Sequence, residues 1–175
     1  MSTKIVQKEN PVLREIAHEV PVKDITGTKI KKILKDMKTA LASQEDGVAI
    51  AAPQIGEQLR IFVVSGNTIK LLKHGDTENA PEYEDQIYIN PKITKLSKDK
   101  EEMEEGCLSV RWAYGFVKRS TKATVEAYDE KGHKFTRGGS GLMAQIFQHE
   151  VDHLDGVLFT DKAKYVRESP PETEK

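Results

Sequence analysis

The stretch Gln148-His149-Glu150-Val151-Asp152-His153-Leu154-Asp155-Gly156 decides the reading of this chain. Residues four apart on an α-helix share a face, so a helix here points His149 and His153 at one place, where both imidazoles reach a single metal ion. Glu150 sits beside them, close enough to take the proton of a water that such an ion activates. The plainer alternative is a helix carrying two hydrated histidines. The flanking residues oppose it: Leu142, Ile146, Phe147 and Leu154 make much of this helix apolar, and a histidine buried there needs a partner. Ser140 is the expected N-cap, the helix runs over 141–154, and Gly156 closes it.

A catalytic ion of this kind takes three protein ligands and keeps one position open. No histidine follows His153, and Glu168, Glu172 and Glu174 fall in a charged tail over 162–175 that carries Pro170-Pro171 and is expected to fray. Upstream, Glu105-Gly106-Cys107-Leu108-Ser109 holds the only cysteine of the chain. A lone cysteine is ordinarily a small buried hydrophobe. On a strand upstream of the helix, Cys107 is the better third ligand, giving a Cys–His–His set. A third segment, Gly47-Val48-Ala49-Ile50-Ala51-Ala52-Pro53-Gln54-Ile55-Gly56, is built of small residues that permit close approach to a ligand or another backbone. Gln54 is its one polar side chain, a candidate donor to a developing oxyanion. Tight packing with Gln54 at the surface is the alternative.

Working outward, 175 residues with 37% hydrophobic and 31% charged side chains describe an ordinary globular protein able to bury a core. The 27 basic and 28 acidic residues nearly cancel, so no charge excess points to nucleic acid. One cysteine cannot form an internal disulfide. Apolar runs are too short to span a bilayer, and the first residues carry neither a signal-peptide core nor transit-peptide character, so a cytoplasmic location is expected.

Pro11 begins a short helix capped by Asn10 over 11–17, and Ile30, Ile33, Leu34, Met37 and Leu41 place an amphipathic helix over 28–44. Residues 46–56 read as a loop or irregular strand, 60–65 as a strand, and 66–85 as a long loop with a short strand at 69–72. Strands are expected at 87–90, 92–97, 104–110, 115–118 and 123–128, with a turn at Lys131-Gly132, a hairpin arm at 133–136 and a flexible lead-in over 137–141. Helices, then strands, then one helix make an α+β fold.

Taken together and in order, the three segments resemble the peptide deformylase family, whose pattern reads G-x-G-[LI]-A-A-x-Q, E-G-C-L-S and Q-H-E-x-D-H-L-x-G. The second stands intact as Glu105–Ser109 and the third as Gln148–Gly156. The resemblance runs from Pro11-Val-Leu-Arg14 through Ile89-Asn-Pro91 to Phe159. It implies one catalytic domain over 1–175, with antiparallel sheets packed around the metal-binding helix. Cys107, His149 and His153 then hold one divalent ion, usually Fe²⁺ in the family, with Zn²⁺, Ni²⁺ or Co²⁺ as substitutes. Glu150 acts as general base and then acid, and Gln54 and the Leu108 N–H stabilise the oxyanion. The implied substrates are formyl-methionyl nascent peptides, with transient ribosome contact, no direct nucleic-acid or membrane binding, and a monomeric state.

The same register puts Val48, Leu142, Gln145 and Ile146 around the methionine side chain, with Ala49 and Gly106 alongside the substrate. Three departures stand out. Ala49 replaces the second glycine of the first pattern. Gln145 stands where the family more often has an aliphatic residue. Arg111 and Trp112 follow the second pattern where proline is usual, placing Trp112 at the cleft mouth. Arg119 is expected to pair with Asp152 behind the helix. Two other readings stay open on the residues: an amidohydrolase for another small N-acyl substrate, and a non-catalytic metal- or partner-binding module. A free carboxylate at Glu150 argues against the latter.

Overall fold

A computed structural model describes residues 3–171. Three α-helices, α1 (Thr28–Ala42), α2 (Gly66–His74) and α3 (Leu142–Leu154), accompany eight strands. These are β1 (Ala49–Ala51), β2 (Ile61–Val64), β3 (Gln86–Leu96), β4 (Lys100–Gly106), β5 (Ala113–Ser120), β6 (Lys122–Tyr128), β7 (Lys134–Ser140) and β8 (Lys164–Glu168). They form a five-stranded sheet of order β1-β2-β3-β6-β7 and a three-stranded sheet of order β4-β5-β8. Every strand pair in both sheets is antiparallel, so the expected α+β class holds.

The period-2 alternation of the strands sorts the larger sheet into two apolar faces. Ile50, Ile61 and Val63 join Ile30, Ile33, Leu34 and Met37 of α1 in one core, while Ala51, Phe62 and Val64 join Ala144, Phe147 and Leu154 of α3 in another. β2 is therefore apolar at all four positions, because both its faces are covered. α3 also contacts β5 of the smaller sheet. There Gln148 is buried and accepts from the Ser120 N–H at 3.0 Å while donating to the Ser120 carbonyl at 2.9 Å. This pair of hydrogen bonds ties the histidine-bearing helix to the smaller sheet.

Several expectations needed correction. Residues 66–74 are helix rather than loop or strand: the Ser65 hydroxyl caps α2 by accepting from the Thr68 N–H at 3.1 Å. Only one large apolar residue of α2, Ile69, is buried, so its periodicity was weak. The two strands expected at 87–90 and 92–97 are one, β3, which passes through Pro91 at a register shift. A bulge accommodates a proline that an even ladder would reject. Asn90 there has φ +51, and its side chain bonds both the N–H and the carbonyl of Val20 at 2.8 Å.

β4 starts and ends earlier than expected, so Cys107 follows the strand in a turn closed by Val110 N–H to the Cys107 carbonyl at 3.0 Å. β5 is longer than 115–118. The lead-in at 137–140 belongs to β7, paired with β6. Ser140 is thus a strand residue, and the N-cap of α3 is Gly141 at φ +56. The first helix is a short 3-10 turn, Pro11–Arg14, and residues 46–56 supply β1 and a 3-10 turn, Ala52–Ile55.

The tail is not frayed over 164–168: β8 pairs with β5 although all five of its side chains are exposed. Backbone pairing rather than burial holds it, which leaves no apolar signal in sequence. Residues 172–175, with Glu172 and Glu174, lie outside the described residues. Among those described, no helix is long and apolar enough to cross a membrane.

Candidate active site

The helical spacing of His149 and His153 delivers what it promised. Their ring centroids are 5.0 Å apart. Ligand atoms of Cys107, His149 and His153 all lie within 4.8 Å of one another. Cys107 Sγ and His153 Nε2 are 3.2 Å apart, near the roughly 3.5 Å that metal–sulfur and metal–nitrogen bonds of about 2.3 and 2.0 Å set for two donors on one tetrahedral ion.

Orientation of the ligands comes from behind. The His149 Nδ1–H donates to Glu105 Oε1 at 2.8 Å, which leaves Nε2 facing Cys107 and His153. Glu105 is in turn held by Arg119, through Nε at 2.8 Å and Nη2 at 2.9 Å. The remaining Arg119 nitrogen, Nη1, reaches Asp152 at 2.7 Å, and Lys162 donates to the same carboxylate at 3.2 Å. The expected Arg119–Asp152 pair is therefore present. The role of Glu105 as the bridge to a ligand was missed. A signal for it existed: alternation along β5 from Ala113 through Gly115 and Val117 puts Arg119 on the buried face, and a buried guanidinium requires a carboxylate.

Electrostatics follow from this packing. Burial pushes the Glu105 carboxyl up, but the bonds from Arg119 and His149 outweigh it and hold the group at about 2. Burial likewise pushes the Cys107 thiol up, and the charges of His153 and His149 more than offset it, leaving a group that favours thiolate. Burial lowers His149, while Cys107 and Glu105 raise it well above its ordinary value. Without an ion the pocket thus favours a thiolate–imidazolium arrangement, a centre ready to exchange a proton for a cation. Burial raises Glu150 above the ordinary carboxylate range. Among the described residues, Glu150 Oε2 is a buried oxygen with no hydrogen-bond partner. An unengaged, desolvated carboxylate oxygen next to three metal-ligand side chains fits a proton acceptor.

Gln54 is buried, not surface-exposed, at 1%. Its Oε1 accepts from the Ala51 N–H at 2.8 Å, which fixes the amide so that Nε2 faces Ser109 Oγ at 3.1 Å and Cys107 Sγ at 3.6 Å. Ser109, a member of the Glu105–Ser109 segment with no role expected from sequence, is buried and anchors that amide.

A cavity of about 320 Å³ opens onto this centre and is lined by Gln54, Cys107, Leu108, His149 and Glu150. Val48, Ala49, Gly106, Leu142, Gln145, Ile146 and Trp112 line it too, as does Tyr114, which the sequence reading passed over. His153, the third member of the Cys–His–His group, is not part of this lining. Gly106 is required by packing, since a Cβ there would lie 2.8 Å from the Tyr114 ring. The Gln145 amide donates to the Glu104 carbonyl at 2.9 Å, so its polar head is tied to β4.

The chain matches the family model described as polypeptide deformylase over residues 2–169. Peptide deformylase 2 of Clostridium acetobutylicum is 43% identical over 155 residues, covering 87% of this chain and 89% of the relative. Among solved structures, a peptide deformylase from Legionella pneumophila superposes with a TM-score of 0.79 at 35% identity, over 94% of this chain and 88% of that one. The Met-Ala-Ser-bound class I type b peptide deformylase from Acinetobacter baumannii gives a TM-score of 0.79 at 28% identity, over 93% of this chain and 99% of that one. With a thiol and two imidazoles converging beside a buried carboxylate and a fixed amide, and with relatives matched along nearly the whole length, the chain belongs to the polypeptide deformylase family, the hydrolases that remove the N-formyl group from new polypeptides.

Proposed function

We propose that residues 1–175 form one catalytic unit in which Cys107, His149 and His153 hold a divalent ion and Glu150 moves the protons of formyl-peptide hydrolysis. The observation that carries this is the unpartnered Glu150 Oε2, buried next to three ligand side chains. When bound, a divalent ion supplies Lewis acidity, polarising the formyl carbonyl and lowering the pKa of water toward about 7.

The chain's own residues do the rest. Glu150 accepts the proton of the attacking water at a carboxylate oxygen that burial has made more basic, then delivers it to the leaving amine. The Gln54 Nε2–H and the Leu108 backbone N–H donate to the oxygen that gains charge as the tetrahedral species forms. Gln54 enters this state with little reorganisation, because its Oε1 is already bound to Ala51.

β1 is the outer strand of its sheet and Val48 and Ala49 line the cleft, so an extended peptide can add along that edge. The methionine side chain enters among Val48, Leu142 and Ile146, with Gln145 presenting its stem because its amide is bound elsewhere. Ala49 and Gly106 leave room for a carbonyl carbon bearing only hydrogen and crowd larger acyl groups. The Acinetobacter baumannii relative binds Met-Ala-Ser, the peptide that deformylation of formyl-Met-Ala-Ser releases, and we assign the same class of substrate here.

We take Fe²⁺ as the native ion, with Zn²⁺, Ni²⁺ or Co²⁺ able to replace it, since a thiolate and two imidazoles suit all four. The unit is proposed to act as a cytoplasmic monomer in transient contact with the ribosome. Glu150→Gln tests the assignment: it keeps metal content while kcat falls by roughly 10²–10⁴-fold. A metal-loaded variant with wild-type kcat on formyl-Met-Ala-Ser would remove Glu150 from the chemistry.

A further inference from the structure

We propose that Trp112 and Tyr114 form an aromatic clamp that selects a large apolar side chain on the residues following the formylated methionine, and that the C-terminal strand β8 is part of this clamp. The proposal rests on the deformylase reading above. Both rings line the cavity that holds the catalytic residues. They flank Ala113 where the turn before β5 passes into the strand, and what they share is the wall of one cavity.

Each ring is backed in the same way. The Arg111 guanidinium lies 4.5 Å from the Trp112 ring centroid, and the Arg167 guanidinium lies 5.4 Å from that of Tyr114. A cation held over one face of a ring fixes the ring and leaves the remaining apolar surface for a ligand. Both cations are cancelled. Arg111 donates to Asp46 at 2.6 and 3.1 Å and to Gln44 at 2.6 Å, and Arg167 donates to Glu104 at 3.0 Å. The rim is thus aromatic, and each guanidinium beside it is paired with a carboxylate. Such a surface favours aliphatic and aromatic groups and gives acids no advantage.

β8 supplies half of this arrangement. Arg167 is the register partner of Tyr114, and just beyond the strand the Ser169 N–H donates to the Trp112 carbonyl at 2.9 Å. All five side chains of β8 are exposed; beside its backbone pairing with β5, Arg167 is the side chain that ties the strand to the cleft rim, through Glu104 and Tyr114.

The test compares formyl-Met-X-Ser and formyl-Met-Ala-X peptides, with X as Ala, Asp, Lys, Leu or Phe, on the full-length metal-loaded enzyme. The clamp predicts that kcat/KM for Phe or Leu exceeds that for Ala by about tenfold at one of the two positions, chiefly through KM. Asp gains nothing, and Lys gains less than Phe or Leu. Trp112→Ala brings the Phe/Ala ratio close to one, Trp112→Phe restores most of it, and Arg167→Ala lowers it partway. Thermal unfolding and metal content check that the variants remain folded.

A flat panel in the wild type, a preference for Asp, or an unchanged ratio in Trp112→Ala would overturn the clamp. Each of those results still shows cleavage of formyl-Met-Ala-Ser. Failure to release formate from any formylated peptide would instead overturn the catalytic assignment on which the clamp depends.

Discussion

Replacing Glu105 with glutamine tests how His149, a proposed metal ligand, is held. The wild-type carboxylate accepts two bonds from Arg119 and one from His149 Nδ1, all between 2.8 and 2.9 Å, and its side chain is only 3% exposed. Glutamine keeps the shape and one accepting oxygen but removes the charge and presents an NH₂ to either Arg119 or His149. Arg119 is not left wholly unpaired, because Asp152 still receives Nη1 at 2.7 Å. The loss is therefore smaller than the 3–5 kcal/mol of a fully broken buried pair. It corresponds to about one charged hydrogen bond, roughly 2 kcal/mol, or about 4–8 °C in Tm for a chain of this size. Metal affinity, which depends on the orientation and basicity of His149, should fall by roughly 10–100-fold. Competition with a chromophoric chelator measures the affinity and calorimetry the Tm. If Glu105→Gln bound metal within twofold of the wild type, the claim that Glu105 orients His149 would be wrong, whatever happened to Tm.

Other outcomes follow from the same geometry. Gln54→Leu removes the amide facing Cys107, and kcat on formyl-Met-Ala-Ser should drop by roughly 10²-fold, read by steady-state kinetics at saturating substrate. A KM effect alone would contradict the oxyanion role. The bond from Arg14 and burial act oppositely on Asp161, and the bond wins, holding the carboxyl below its ordinary value. Its folded-state pKa is depressed, so its contribution to stability is present above about pH 4 and is lost as pH falls through the folded value. The Tm gap between the wild type and Asp161→Asn should therefore narrow on acidification below that point; a gap that widened would reverse the sign argued here.

How far the sequence carried the structure depended on whether burial left a periodic trace. α1 and α3 bury continuous stripes, and both were legible. Cys107, His149 and His153 converge because helical spacing and one lone thiol left few alternatives. The misread elements are those that bury little or break an even ladder. α2 has a Ser65 cap and a single large apolar residue in the core, β8 is held by backbone pairing and by Arg167 contacts to Glu104 and Tyr114, and β3 bends through Pro91 at a bulge. Glu105 and Ser109 were in view but unassigned, because their roles are set by partners on β5 and in the turn before β2. Tyr114 was overlooked because its importance comes from Arg167, over fifty positions away in a tail that looked frayed. Gln145 changed meaning for a similar reason: a polar residue in a pocket wall matters less once its amide is bound to Glu104.

The most direct test of the central claim is a single anaerobic purification, followed at once by elemental analysis and by formate release from formyl-Met-Ala-Ser. The account predicts about one divalent ion per chain, and activity that is lost when a chelator removes the ion and restored when Fe²⁺ returns. Full formate release from protein shown to be free of metal, or a full complement of metal without formate release, would contradict it.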